Sequence, residues 1–194
     1  MDPLRGWWGV RVTDTLGLTG TSTATVNVSN VAPTATFSAP ATAFAGLAFS
    51  LSLSNPTDSS PADAAAGFTY SFNCGTGYGS FGSVATASCV RTTTGSIGVS
   101  GTIRDKDGGT SEYLSTVSVV VTFQSLCTLT RALVTKQDVE DSLCEKLASA
   151  EAAAATGGPS ANILNAYRKQ VAAQTGKSIS SSDAQLLTSL SLQL

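Results

Sequence analysis

Apolar and polar residues alternate with period two from about Val10 to Val121. In the segment "LAFSLSL" this alternation places four apolar side chains on one face, with Ala and Ser on the other: Leu47, Phe49, Leu51 and Leu53. Alternation of this kind is typical of half-buried strands. Gly, Pro, Asp and Ser separate the strands, and the pattern predicts no helix between them. It therefore predicts an antiparallel β-sandwich.

After Phe123 the apolar spacing changes to that of helices. Leu126, Leu129 and Leu133 form one stripe, and a second follows in "DVEDSLCEKLASAEAAAA". The segment "TGGPS" and Gly176 end helices, and Ser180 is a possible N-cap, with an aspartate three residues on. Three or four short helices joined by short turns predict a small antiparallel bundle.

The start of the chain resembles a later part of it. "VTDTLGLTGTSTATVNV" aligns without gaps on "RDKDGGTSEYLSTVSVVV", and one constant offset gives six identities. The matched pairs are Asp14 and Asp105, Gly17 and Gly108, Thr19 and Thr110, Thr25 and Thr116, Val26 and Val117, and Val28 and Val119.

This repeat divides the chain into three parts: 1–30, a remnant of a preceding repeat; 31–122, a sandwich; and 123–194, a bundle. "TLGL" is interpreted as a degraded turn, and Asn30 to Phe37 as the linker. A lone hairpin is marginally stable in water, so residues 1–30 are expected to form at most an exposed two-stranded ribbon hinged at Pro33.

Composition narrows the possible functions. Charged residues make up 12% of the 194, and the net charge of −2 provides no basic field for nucleic acid. The chain has no histidine, which excludes a Ser-His-Asp triad and imidazole metal ligands. Its apolar runs are too short to span a bilayer, and its first residues lack the apolar core of a signal peptide.

The four cysteines indicate the compartment. Cys74 and Cys89 fall in the β block and Cys127 and Cys144 in the helical block, neither pair at metal-ligand spacing. We predict one disulfide within each pair, each closing a short loop worth about 3 kcal/mol. Disulfides imply an extracellular setting, and a secreted chain without an export signal implies a fragment or a mis-started reading frame.

Asp105 and Asp107 have two interpretations. Their oxygens and the neighbouring glycines could contribute to a weak calcium site. The same residues suit a hairpin turn, which we favour because no twelve-residue loop with a terminal Glu is present. The repeat carries Leu16 where Asp107 stands, which also supports the turn. We expect no cofactor.

Two further sets of side chains are candidates for chemistry. Tyr78 and Phe81 could form a sugar-stacking surface, although capping of one sandwich end is the favoured interpretation. Trp7 and Trp8 have no counterpart in the repeat and receive no functional weight. A hydrolase would require carboxylates that converge in a cleft. The candidate carboxylates stand in turn-like sequence contexts, which disfavour this function: Asp58, Asp63, Asp105 and Asp107.

Residues 34–121 resemble a PKD domain, an immunoglobulin-like sandwich. The resemblance rests on "GFTYSFNCGTGYGSFG", with Tyr70 to Asn73 in the place of the family's aromatic strand, and on Asp105 to Gly109 in the place of its last hairpin. Residues 10–28 then correspond to the tail of a preceding repeat. The resemblance implies an extracellular spacer, adhesion or polysaccharide-contact role without catalysis.

The helical block resembles the FIMAH-type (or FIVAR-like) module of secreted bacterial proteins. Val139 to Leu143 with Lys146 and Leu147 match its first part, and "LNAYRKQVAAQTGKSI" matches its second. This resemblance implies location and architecture, and no site residues.

The expectation is a non-catalytic, extracellular, C-terminal region of a larger secreted or surface protein, acting as a spacer or in adhesion. Its partners would be upstream domains of the same polypeptide. The alternative is a glycan- or cell-wall-binding module, which would add a polysaccharide or cell-surface component as partner.

Overall fold

The chain is an immunoglobulin-like β-sandwich followed by a bundle of four helices. A computed structural model describes residues 5–27 and 29–194. Val28 and the side chains of Trp7, Trp8 and Val26 lie outside the described part. The strands are β1 (Arg5–Thr13), β2 (Thr19–Asn27), β3 (Thr34–Ser38), β4 (Thr42–Phe44), β5 (Ala48–Thr57), β6 (Thr69–Asn73), β7 (Thr86–Val90), β8 (Gly95–Arg104) and β9 (Thr110–Val120). The helices are α1 (Pro61–Ala66), α2 (Phe123–Leu133), α3 (Gln137–Ala155), α4 (Ser160–Gln174) and α5 (Ser181–Ser191).

Two sheets form the sandwich, with strand orders β3-β5-β7 and β4-β9-β8-β6. All pairings within them are antiparallel except that of β4 with β9, which is parallel. The alternation predicted for β5 is confirmed, because Phe49, Leu51 and Leu53 are buried. They pack against the inward residues of the opposite sheet, among them Val99 and Ile103.

Both disulfides are confirmed. Cys74, just after β6, is bonded to Cys89 in β7, and Cys127 in α2 to Cys144 in α3. The first bridge fastens the loop after the aromatic strand, and the second joins the first two bundle helices, as expected. The Ser180 N-cap is also confirmed, since its hydroxyl accepts a hydrogen bond from the Asp183 N–H at 3.1 Å.

Two expectations for the β-sandwich are wrong. The sequence pattern predicted no helix between the strands, but helix α1 lies there. It has Pro61 in its first turn and an N-cap at Ser60, whose hydroxyl accepts from the Asp63 N–H at 3.3 Å. Six residues are too few for helical periodicity to emerge from the sequence. The linker is also shorter than Asn30 to Phe37, because β3 begins at Thr34 and Pro33 is buried.

The sandwich and the bundle share one apolar core. Ala45 and Val119 of the sandwich belong to the same cluster of buried residues as Leu126 and Leu129 of α2. The backbone approaches closely at Gly46, where a Cβ atom would lie 2.5 Å from Leu129 Cδ2. The two units are therefore packed together rather than only joined by the chain.

The N-terminal hairpin stands apart. β1 and β2 form their own two-stranded sheet, and residues 9–25 are all exposed. The expectation of an exposed ribbon is confirmed. The segment after the hairpin is fastened to the sandwich, because the Asn30 side chain donates to Asp105 Oδ2 at 2.8 Å.

Candidate functional site

One candidate surface lies on the outer face of the four-stranded sheet. The loop after β6 is shaped by Asn73, whose side-chain oxygen accepts from the N–H groups of Gly75, Thr76 and Gly77 at 2.8–3.1 Å. The chain then returns along β6, with backbone hydrogen bonds from Gly79 to Phe72 and between Gly82 and Tyr70. The loop thus acts as an extra edge strand, which positions Tyr78.

The Tyr78 side chain reaches across part of the outer face of the sheet to β9. Its hydroxyl donates to Glu112 Oε1 at 2.7 Å. Because Tyr78 adjoins β6 and Glu112 lies on β9, its side chain crosses the outer face of β8, which lies between them. Burial raises the pKa of Tyr78, and the hydrogen bond to Glu112 raises it further. The residue remains 43% exposed, so part of the ring is open to a ligand.

Phe81 is half-buried beside this surface. The Arg104 guanidinium lies over its ring, 4.0 Å from the centroid. Arg104 Nε also donates to Thr69 Oγ1 at 3.4 Å. One face of Phe81 is therefore occupied by a cation, which leaves Tyr78 as the more accessible ring. We call Tyr78, Phe81, Arg104 and Glu112 the Tyr78 surface.

The sequence pattern predicts the two aromatic residues of the Tyr78 surface but not its charged ones. Arg104 and Glu112 fall at outward positions of β8 and β9, where charged residues are ordinary. Only the pairing of these strands with each other and with β6 brings both charges beside the aromatic loop.

The second candidate is the turn between β8 and β9. Asp105 is buried, and its Oδ1 accepts from the N–H groups of Asp107 and Gly109 at 2.9 and 2.8 Å. Its Oδ2 accepts from Asn30. Both carboxylate oxygens therefore already have protein donors, as a turn-forming role requires. Within the described residues, no group of three or more His, Cys, Asp or Glu side chains is arranged to hold a metal ion.

Asp63 and Asp107 meet around a lysine. Lys106 Nζ lies 2.7 Å from Asp63 Oδ1 and also contacts Asp107. Lys106 holds the pKa of the Asp63 carboxyl below its usual value, and hydrogen bonding to Ser60 adds to this effect. Asp58 lies near α1, where its Oδ1 accepts from the Ser60 N–H at 2.7 Å. Lys106 offsets part of the charge of Asp63 and Asp107, and the three contacts fix the loops at this end of the sandwich.

No family model matches the chain, and neither does any curated protein. Solved structures of β-sandwich modules are similar to part of it. Carbohydrate-binding modules from the β-sandwich superfamily share 22% identity over 48% of this chain and 36% of their own, with a TM-score of 0.41. The chain thus spans little more than a third of that structure's length.

Two further structures have comparable similarity. The PKD1 domain of Vibrio anguillarum Epp shares 26% identity over 48% of this chain and 99% of its own, with a TM-score of 0.36. The fibronectin(III)-like modules of Clostridium thermocellum CbhA share 17% identity over 60% of this chain and 63% of theirs, with a TM-score of 0.39. Because all three TM-scores lie below 0.5, we assign the fold from the sheet pairing described above and take no activity from these neighbours. The PKD and FIMAH resemblances stay predictions.

Proposed function

We propose that the chain is a non-catalytic, extracellular spacer that holds neighbouring parts of a larger secreted or surface protein at a fixed separation. The observation that carries this proposal is the position of the two connections. The N-terminal connection is fastened to the β8–β9 turn through Asn30 and Asp105, whereas β9 runs away from that turn and leads into α2.

The geometry gives the spacer its length. β9 has 11 residues, so the chain crosses the sandwich over about 36 Å, at about 3.3 Å per residue. The apolar core shared by sandwich and bundle continues this path without a free linker. The disulfides support the extracellular setting, since such bonds persist in oxidising compartments. None of the helices in the described part of the chain has the length and apolarity of a membrane span.

A distance measurement tests the spacer. All four cysteines are bridged, so Ser59→Cys on the sandwich and Glu151→Cys on α3 introduce two unique thiols for spin labels. We expect one narrow distance distribution by pulsed electron paramagnetic resonance. A matched pair within the bundle, Glu151→Cys with Gln185→Cys, gives the width of a single rigid unit. A sandwich–bundle distribution much broader than this control contradicts the proposal.

A second candidate function is glycan or cell-wall binding, and the exposed ring of Tyr78 favours it. An aromatic face with a carboxylate and a guanidinium nearby combines stacking with hydrogen bonding, the usual means of orienting a polar ligand. A glycan array with the intact chain tests this function. Binding that Tyr78→Ala abolishes and Val90→Ala on the opposite sheet preserves supports the second function; an array without signal contradicts it.

A further inference from the structure

The β1–β2 hairpin has the same structure as the β8–β9 hairpin. Asp14 Oδ1 accepts from the N–H groups of Leu16 and Leu18, both at 2.9 Å, as Asp105 Oδ1 accepts from those of Asp107 and Gly109. The strand registers also agree, because Thr13 pairs with Thr19 as Arg104 pairs with Thr110. The interpretation of "TLGL" as a degraded turn is therefore wrong: the turn is intact.

The two hairpins differ in what covers them. In β8–β9 the inward residues Ile103 and Val117 are fully buried under the β3-β5-β7 sheet. In β1–β2 the corresponding inward face is open, and Val10 and Val12 are 66% and 65% exposed. The outer edges of β8 and β9 pair with β6 and β4, whereas within the described residues β1 and β2 pair only with each other.

We propose that β1–β2 is the closing hairpin of a second immunoglobulin-like sandwich, completed by strands equivalent to β3–β7 that precede it in the same polypeptide. Those strands would present an aliphatic and aromatic inner face to Val10 and Val12. They would also add an antiparallel strand beside β1 and a short parallel strand beside β2. This inference rests on the proposed function in one respect, namely that the chain works within a longer polypeptide.

A second copy of the chain is a poorer occupant. Two strands of nine residues present a face of about 30 by 10 Å, so two hairpins packed face to face would bury on the order of 600 Å². Stable interfaces require about 1,000 Å² or more. Such a pair would also leave strand edges of each hairpin unpaired, which the completed sandwich does not.

The structure also specifies one feature of the occupant. Val10 corresponds to Gly101, and a Cβ atom at Gly101 would lie 2.8 Å from the Phe37 ring. A valine at this place would require the opposing phenylalanine ring to shift. A strand equivalent to β3 with a smaller side chain in the place of Phe37 would accept Val10 without that shift.

The probe is a fusion that restores the repeat. A copy of residues 31–94, with Phe37→Ala in the copy, replaces residues 1–3 ahead of the otherwise intact chain. We expect the hairpin amides of residues 5–27 to exchange with solvent slower by on the order of 100-fold than in the unfused chain, because burial in a stable unit protects amides. The cysteines of the added copy should form their own disulfide.

Two controls sharpen the result. Val10→Lys with Val12→Lys should abolish the protection, whereas Leu114→Lys, at an exposed position of β9, should preserve it. Hairpin amides that exchange equally fast in the fusion and the unfused chain overturn the proposal. So does an unfused chain that sediments as a dimer with protected hairpin amides, because a second copy is then the occupant. Neither outcome affects the Ser59–Glu151 distance, so the spacer proposal is tested separately.

Discussion

Asp105 joins two parts of the sandwich, its own turn and the segment that contains Asn30, through one side chain. It is 4% exposed and accepts hydrogen bonds from two backbone N–H groups of its own turn and from Asn30 of the preceding segment. Gly109 has no room for a side chain here, because a Cβ atom would meet both Asp105 and Asn30.

We expect Asp105→Ala to lower the free energy of unfolding by about 2–4 kcal/mol, because buried donors would lose a charged acceptor. Urea denaturation followed by far-UV circular dichroism measures the change. Asp14→Ala is the matched control: it removes the same turn contacts in the exposed hairpin and should leave the main transition unchanged. Equal effects of the two variants would show that burial is not the cause.

Asp63 should give the protein a specific acid sensitivity. Its pKa in the folded state is lowered, chiefly by Lys106. A carboxyl of this kind stabilises the fold above its unfolded pKa, and this contribution disappears as pH falls through the folded value. Stability should therefore decline below about pH 4, the ordinary range of aspartate. Asp63→Asn should flatten this decline in denaturation curves recorded at several pH values, whereas Asp141→Asn on exposed α3 should not.

Calcium should change the thermal midpoint little, because Asp105 already has protein donors on both oxygens. A ligand that binds only the folded state raises stability in proportion to the logarithm of its concentration relative to Kd. A shift of about 5 °C or more in millimolar calcium, reversed by chelator, would instead show a site of useful affinity. Differential scanning calorimetry makes this comparison.

At the scale of elements, the junction between sandwich and bundle depends on a glycine. Gly46 has φ +83°, and its missing side chain admits Leu129 of α2. The turn before β5 and helix α2 can therefore pack this closely only because residue 46 has no side chain.

Gly46→Ala should destabilise the chain by about 2–4 kcal/mol, because the strain of positive φ adds to overpacking against Leu129. Gly157→Ala is the control, since that glycine has φ +70° and no atom lies within 4 Å of the place its Cβ would take, so only the strain should remain, about 1–2 kcal/mol. Thermal denaturation of both variants provides the comparison. A Gly46→Ala loss no greater than that of Gly157→Ala would mean that α2 can shift away at little cost.

At the scale of the whole molecule, the stability of residues 30–194 should not depend on the hairpin. Deletion of residues 1–29 should leave the calorimetric midpoint unchanged, because residues 9–25 are exposed and β1–β2 forms a separate sheet. Removal of the exposed apolar face and edges should also reduce association at high concentration, as sedimentation would show. A midpoint lowered by several degrees would make the hairpin an integral part of the sandwich.

Much of the fold could be predicted because its signals are local. The alternation in β5, the stripe of Leu126 and Leu129, and the cysteine spacing each reflect contacts that recur at fixed intervals along one strand or helix. The helix α1 could not be found in this way, since a six-residue helix held by Pro61 and Ser60 has no periodic stripe. Arg104 and Glu112 were missed because their relation to Tyr78 arises from pairing between distant strands.

The sequence alone determined the order of sandwich and bundle, both disulfide pairings and the duplication of the last hairpin, because each depends on residue types at short or constant spacing. Only the tertiary structure decided that sandwich and bundle share a core, that Asp105 binds Asn30, and that Val10 and Val12 are left uncovered. These features depend on which surfaces meet in three dimensions. They arise from contacts between side chains that are far apart in the sequence, and a local sequence pattern does not predict such contacts.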